Sequence, residues 1–377
     1  MAEPLTRHYG PEIPRTIARM IATVSPSFDT KGFVRTALVG YESLGLMPRG
    51  RQIAQALRRF LPASYPDAMR VLLASLDHAP PRTPGQSMAA FLFLPHTYFV
   101  ADYGVDHFEC SMRAQYLLTQ RFTAEFSIRP FLERYPAETL AQLAEWCTDP
   151  SEDVRRLVSE GTRPRLPWAS RLRAFQADPQ LGLALLERLK DDSSLYVRRS
   201  VANHLNDIGK DHPTVLIDTA RRWLVDATDE RRWIVRHALR SAVKRGDRDA
   251  LALLGFGRAA KVQVQAVRIA PSRAAIGGSV QLACEVTSRA AEAQRLAVDF
   301  SVGYVKANGT VRPKVFKWTT LELAPRQRVS LQKCLSLVQR TTRTHYPGTH
   351  TVHLLINGAA YPLGSFLVTE SERARRR

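Results

Sequence analysis

An all-helical N-terminal two-thirds followed by an all-β C-terminal third is the architecture the sequence predicts, on three observations. Apolar residues recur at helical spacing as far as residue 258 and alternate with period two beyond it. A Val-Arg pair that follows an acidic turn returns at intervals of 43 and 38 residues within the helical part. An Asn-Gly step, the strongest short hairpin signal, separates two of the alternating runs.

Ile13–Ile21, Phe33–Leu44, Arg51–Leu61 and Tyr65–Leu76 read as four successive helices. His78–Gln86, with three prolines, reads as a loop, and helices resume at His107–Thr119 as short antiparallel pairs. The repeat is carried by Asp153-Val-Arg-Arg156, Tyr196-Val-Arg-Arg199 and Ile234-Val-Arg-His237, each after a turn beginning at Asp149, Asp191 or Asp226. Such a period is that of HEAT or armadillo repeats. The acidic turn caps the helix start, the valine packs into the neighbouring repeat, and the arginine after it is expected to point off the core face. Residues 1–258 are therefore expected to form a HEAT-like (ARM-type) superhelical solenoid.

Val262–Ile269, Ser279–Thr287, Leu296–Tyr304, Val311–Leu321, Gln327–Leu337 and Gly348–Ile356 read as strands. About seven strands with regular turns over residues 259–370 suit an all-β immunoglobulin-like sandwich. Asn308-Gly309 is read as a hairpin turn rather than as the glycosylation acceptor that Asn308-Gly-Thr also matches. Residues 371–377 read as a basic tail.

The charge balance points to a polyanion. Fifty-four Lys and Arg against 35 Asp and Glu leave +19, with an isoelectric point near 10.3. Each cation set against a phosphate releases condensed counterions. From residue 259 onward, 18 Lys and Arg face six Asp and Glu. Discounting Arg373, Arg375, Arg376 and Arg377 in the tail still leaves +8, so the sandwich is expected to touch the polyanion as a clamp.

Cys110, Cys147, Cys284 and Cys334 form no CxxC pair and are expected to be reduced, with Cys284 and Cys334 placed to face each other across the two sheets. His107, His204, His212 and His237 have no metal-ligand spacing. P-loop, dinucleotide-binding and HExxH motifs are absent. The N-terminus lacks a signal-peptide core, and the longest apolar run, Ala89–Leu94, is far short of the ~20 residues of a membrane span. The expectation is a soluble, cytoplasmic protein with no membrane partner.

Three polar segments stand out in the helical part: Arg121–Leu132 (RFTAEFSIRPFL), Val154–Trp168 (VRRLVSEGTRPRLPW) and Val197–Pro213 (VRRSVANHLNDIGKDHP). Arg156 and Glu160 share a helix face at i,i+4, as do Arg199 with Asn203 and Asn203 with Asp207. Glu160 and Asn203 are again 43 apart, equivalent places in adjacent repeats.

These segments resemble those of the AlkC branch of the DNA alkylation-repair glycosylases, HEAT-like relatives of AlkD, over about residues 10–257. Some members carry a C-terminal immunoglobulin-like domain. The resemblance implies a monomeric DNA glycosylase that acts on double-stranded DNA containing alkylated bases. It would hydrolyse the N-glycosidic bond of cationic lesions of the 3-methyladenine and 3-methylcytosine type. It further implies no metal or organic cofactor, and no flipping of the lesion into a deep pocket. Elementary chemistry agrees with a sparse site. A cationic base is already a good leaving group, so what remains is to stabilise an oxocarbenium ion and aim a water, which a fixed carboxylate can do.

By that likeness Glu125 and Glu160 fall in the catalytic cleft. Glu125 sits in an aromatic-rich segment just before Pro130 breaks the helix. Glu160 also reads as an ordinary i,i+4 partner of Arg156. Trp168 reads either as a contact to the lesion nucleotide or as an anchor of the inter-repeat turn. Asp207 and Asn203 orient water or a phosphate-binding arginine, or merely cap a helix end. Arg156, Arg163, Arg199 and Arg236 are the expected phosphate contacts, although HEAT repeats also use arginines to staple neighbours. Trp233 is expected in the core. The competing reading is a catalytically silent HEAT-like protein that binds damaged or branched DNA; carboxylates in a phosphate-lined groove argue against it.

Overall fold

The computed structural model describes residues 5–80, 89–256, 259–340 and 343–370. The basic tail and residues 81–86 of the proline-rich loop lie outside them. The described residues divide into two compact units, one made of those from 5 to 215 with 226–238, the other of 216–225 with those from 239 to 370.

The first unit is helical. It runs through α1 (Glu12–Val24), α2 (Thr30–Ala37), α3 (Leu46–Phe60), α4 (Tyr65–Ser75), α5 (Leu94–Tyr103) and α6 (Phe108–Thr119). Ile17, Met20 and Ile21 bury one stripe of α1, and Asp29 caps α2 by accepting from the Gly32 amide at 2.9 Å. The helix expected to reach Leu44 stops at Ala37, because Gly40 adopts a left-handed φ of 64° and the chain continues as a short 3-10 turn, Tyr41–Ser43.

The repeat proper follows: α7 (Arg129–Arg134), α8 (Pro136–Trp146), α9 (Glu152–Gly161), α10 (Arg173–Ala177), α11 (Gln180–Leu189) and α12 (Leu195–Asp211). After α13 (Pro213–Leu224), which belongs to the second unit, comes α14 (Asp229–Ala238). Val154, Val197 and Val235 are fully buried, as the repeat requires. The acidic turns are built alike 43 residues apart. Asp149 accepts from the Ser151 amide and Asp192 from the Ser194 amide, both at 2.8 Å. Arg155 and Arg198 each fold back to donate to two carbonyls of their own turn, Asp149 and Pro150 in one case, Asp192 and Ser193 in the other. Arg155 therefore does not point off the core face. It also forks onto Asp192 of the next repeat at 2.6 and 3.0 Å.

Among the described residues the second unit contains α15 (Arg240–Lys244), α16 (Arg248–Leu253) and eight strands. A three-stranded sheet has the order β1 (Val262–Ala270), β3 (Ser279–Ser288), β6 (Arg328–Ser336). A five-stranded sheet has the order β2 (Arg273–Ala275), β8 (Ala359–Thr369), β7 (Gly348–Ile356), β4 (Gln294–Val305), β5 (Val311–Leu323). Alternation buries Val280, Leu282, Cys284 and Val286 from one sheet and Val298, Phe300, Val302 and Tyr304 from the other. The Asn308-Gly309 hairpin joins β4 to β5, with Gly309 at φ 76°.

Two strands escaped the sequence reading. β2 is three residues long, and β8 contains Pro362 and Gly364, whose ladder with β7 slips by one residue between Val352 and His353. The two sandwich cysteines do not face each other across the sheets. β3 and β6 are neighbours in one sheet, with Cys284 opposite Leu331 and Cys334 opposite Gln281. Positions 281 and 284 differ by an odd number, so the thiols point to opposite faces, Cys284 buried and Cys334 exposed. Gly246 (φ 76°) meets Gly358 (φ 80°) back to back, each so close that a Cβ would stand 3.0–3.2 Å from the other's backbone.

Candidate active site

A row of paired carboxylates and cations connects three elements of the first unit. Glu125 lies in the turn that precedes α7, where Thr123 Oγ1 donates to its Oε2 at 2.8 Å. Arg156, one turn into α9, places Nη2 2.8 Å from the same oxygen and donates through Nη1 to Thr123 Oγ1 at 2.9 Å. Its guanidinium also stands 3.7 Å from Glu160 Oε1 and over the Tyr196 ring at 4.9 Å. Glu160 Oε1 takes Arg163 Nη1 at 2.6 Å and its Oε2 takes Ser200 Oγ at 2.6 Å. Arg163 then forks onto Asp207 at 2.8 and 2.9 Å, and Lys210 closes the row on Asp207 Oδ1 at 2.6 Å.

Most of this row is buried: Glu160 is 7% exposed, Arg163 7% and Asp207 1%. Burial works against the charge of Arg156 and Arg163, but the carboxylates of Glu125 and Glu160 for one, and of Glu160 and Asp207 for the other, outweigh it and hold both guanidinium groups above their usual range. His204, behind Glu160, is fully buried and held neutral. Burial first and Arg163 second push its pKa down to about 3, while its Nδ1 sits 3.0 Å from the Ser159 carbonyl.

Arg129 opens α7 and is 3% exposed. It donates from Nη1 to the carbonyls of Gly161 and Arg163 at 3.0 Å each, and from Nη2 to the Ser170 carbonyl at 2.6 Å. Burial lowers its pKa to about 10. The segment it clasps carries Trp168, 69% exposed and held at φ 66°, a conformation bulky residues rarely adopt. Beside Trp168 opens a cleft of about 640 Å³ walled by Met47, Tyr98, Phe126 and Pro130. Glu125 and Glu160 do not line it.

The row brings together Glu125, Arg156, Glu160, Arg163 and Asp207. Arg156 and Arg163, the expected phosphate contacts, each stand against two carboxylates. Pro130 does not break a helix but stands in the first turn of α7, where its missing amide costs nothing. Asp207 is no cap; it lies a full turn before the end of α12 with both oxygens engaged. Asn203 is half-buried and its Oδ1 lies 3.3 Å from His237 Nε2 on α14. Arg199 and Arg236 remain exposed. Trp233 is half-buried and stacks on His237 at 5.1 Å rather than sitting in the core. Sequence reasoning missed Thr123, Arg129, Ser200 and Lys210. Only Lys210 had a local signal, its i,i+3 spacing from Asp207. No three-residue group of His, Cys, Asp or Glu suited to a metal occurs among the described residues, and no helix there is long and apolar enough to cross a membrane.

Fold and site together define a helical-repeat protein with a buried ionic row and a C-terminal β-sandwich. Residues 263–370 match the family described as the C-terminal Ig-like domain of the uncharacterised protein YhaZ. YhaZ of Bacillus subtilis (strain 168) is 36% identical over 351 residues, which is 93% of this chain and 95% of that one. Among solved structures, Pseudomonas fluorescens alkylpurine DNA glycosylase AlkC, bound to DNA containing an abasic site analog, is similar with a TM-score of 0.91 and 39% identity, over 97% of this chain and 100% of its own. The chain therefore belongs to the AlkC branch of the HEAT-like-repeat DNA alkylation-repair glycosylases, with the immunoglobulin-like domain at its C-terminal end.

Proposed function

We propose that this protein is a DNA glycosylase that hydrolyses the N-glycosidic bond of cationic alkylated bases, of the 3-methyladenine and 3-methylcytosine type, in double-stranded DNA. The observation that carries the reading is Glu125. Arg156 and Thr123 fix one of its oxygens, while Oε1 has no partner among the described residues. A carboxylate so held can face a developing oxocarbenium ion and accept a proton from water. The water oxygen bonds to the anomeric carbon, and the base departs neutral with the electron pair of the broken C–N bond. No general acid is needed, because the lesion already carries the positive charge.

Trp168 presents an indole face to the lesion nucleotide beside the cleft, where cation–π attraction favours the cationic base. Glu160 and Asp207, each with both oxygens engaged, hold Arg163 and through it the floor of the site. Arg199, Asn203 and Arg236 lie towards the DNA backbone, and the sandwich acts as a second grip. The protein works as a monomer in the cytoplasm, on the nucleoid. Incubating it with methylated DNA and separating the released bases by chromatography tests the reading. Release of 3-methyladenine or 3-methylcytosine supports it, and intact lesions after prolonged incubation refute it.

A further inference from the structure

Glu125 and Trp168 come from different parts of the repeat, and something must fix their spacing. Glu125 sits four residues before Arg129. Trp168 rides on the segment from 162 to 170, which has no regular helix, and its φ of 66° shows a backbone held against its own preference. Arg129 grips that segment at both ends: Gly161 and Arg163 carbonyls at the start, Ser170 at the finish. The same end of α9 is pressed onto the turn before α7, where a Cβ at Gly161 would stand 2.5 Å from Ile128. Three carbonyls take two nitrogens of one planar cation, a geometry that lysine does not reproduce.

We propose that Arg129 is a positioning residue that sets Trp168 and the Glu160–Arg163 pair at a fixed distance from Glu125. It acts through the backbone of the 161–170 segment and touches no substrate itself. The proposal rests on the glycosylase reading for its catalytic consequence, but not for its geometric one.

Two readouts separate these. Labelling the protein with 5-fluorotryptophan and assigning Trp168 by comparison with Trp168→Phe reports the indole's environment by fluorine NMR without any reaction. Wild type should give one narrow Trp168 resonance, and Arg129→Ala a broadened or split one that added guanidinium ion narrows again. In single-turnover base release, Arg129→Ala should lose about 10²-fold in kcat with KM little changed, the scale of a misplacement near 1 Å. Guanidinium should recover part of the loss. If Arg129→Ala does not fold, Arg129→Lys decides: a displaced Trp168 resonance supports the proposal. An unchanged resonance in a folded variant overturns it, as does unchanged kcat. Should wild type release no base while the fluorine signal shifts as described, the glycosylase reading fails and the positioning stands.

Discussion

Among the three carboxylates of the buried row, only Glu125 has an oxygen left over for chemistry. Glu125→Gln should therefore lower kcat by about 10²-fold, the size of one removed electrostatic interaction with a developing charge, with DNA affinity retained or slightly raised. Single-turnover excision beside equilibrium binding checks both. Asp207→Asn should act differently. It leaves Arg163, 7% exposed, with one anion fewer, and should cost about 3 kcal/mol of folding stability. Denaturant unfolding reads that loss, and a fully stable Asp207→Asn would contradict the buried row. Glu160 was legible from spacing, since the i,i+4 relation and the 43-residue period placed it beside Arg156 and in step with the next repeat, whereas Glu125 was singled out only by the family resemblance. Which arginines turn inward was not legible. Arg156 and Arg199 occupy the same repeat position, yet one is half-buried against Glu125, which the turn before α7 supplies, and the other is exposed.

The repeat element was read correctly in its valines, but Asp149 and Asp192 brace the turn before each helix rather than cap it. Of the arginines that follow the valines, Arg155 and Arg198 fold inward while Arg236 stays exposed. A residue that points away in a helical wheel can still bend over the end of its own helix when two carbonyls and a neighbouring Asp wait there. Arg155→Ala removes the fork to Asp192 and both turn carbonyls, and should cost about 3 kcal/mol, measured as a fall in the denaturant midpoint. A shift within about 0.5 kcal/mol, the range of an ordinary surface substitution, would show that the staple is idle. His204 makes α12 sensitive to acid. Its folded pKa lies near 3, against 6.5 in the unfolded chain, so the unfolded state takes up the proton first. Stability is intact above the ordinary histidine range and declines as pH falls through it, by about 1.4 kcal/mol per pH unit for this group. Unfolding midpoints between pH 7 and 5 should drop less steeply in His204→Gln than in wild type. Strands were legible wherever alternation was clean, and β8 was not, because Pro362 and Gly364 interrupt the pattern at the bulge.

For the molecule as a whole, the charge surplus is the feature that composition announced and the second unit makes concrete. Lys306, Arg312, Lys314 and Arg343 line one groove of about 850 Å³ on the sandwich, and none of them has a salt bridge to a carboxylate among the described residues. Lys314 has its pKa lowered by partial burial and then by Arg343, Lys306 and Lys244. Such a cluster gains from an anion. Replacing the four cations with glutamine should weaken DNA binding and flatten the log–log salt dependence by ~0.9 for each phosphate no longer neutralised. Binding curves at several salt concentrations check this, and a slope equal to that of wild type would remove the sandwich from the DNA interface. Composition could not say where on the sandwich these charges gather, since they come from the β4–β5 hairpin and from the segment before β7.

The paired glycines at 246 and 358 carry a consequence for how such a sequence can drift. A side chain at one position is ordinarily accommodated by shrinking its neighbour, but here both partners are already the smallest residue there is, and both sit at positive φ. No second-site change can rescue a first. Across descendants of this gene the two codons should remain glycine together, although neither belongs to the site and one lies in a helical connection while the other lies in a strand turn.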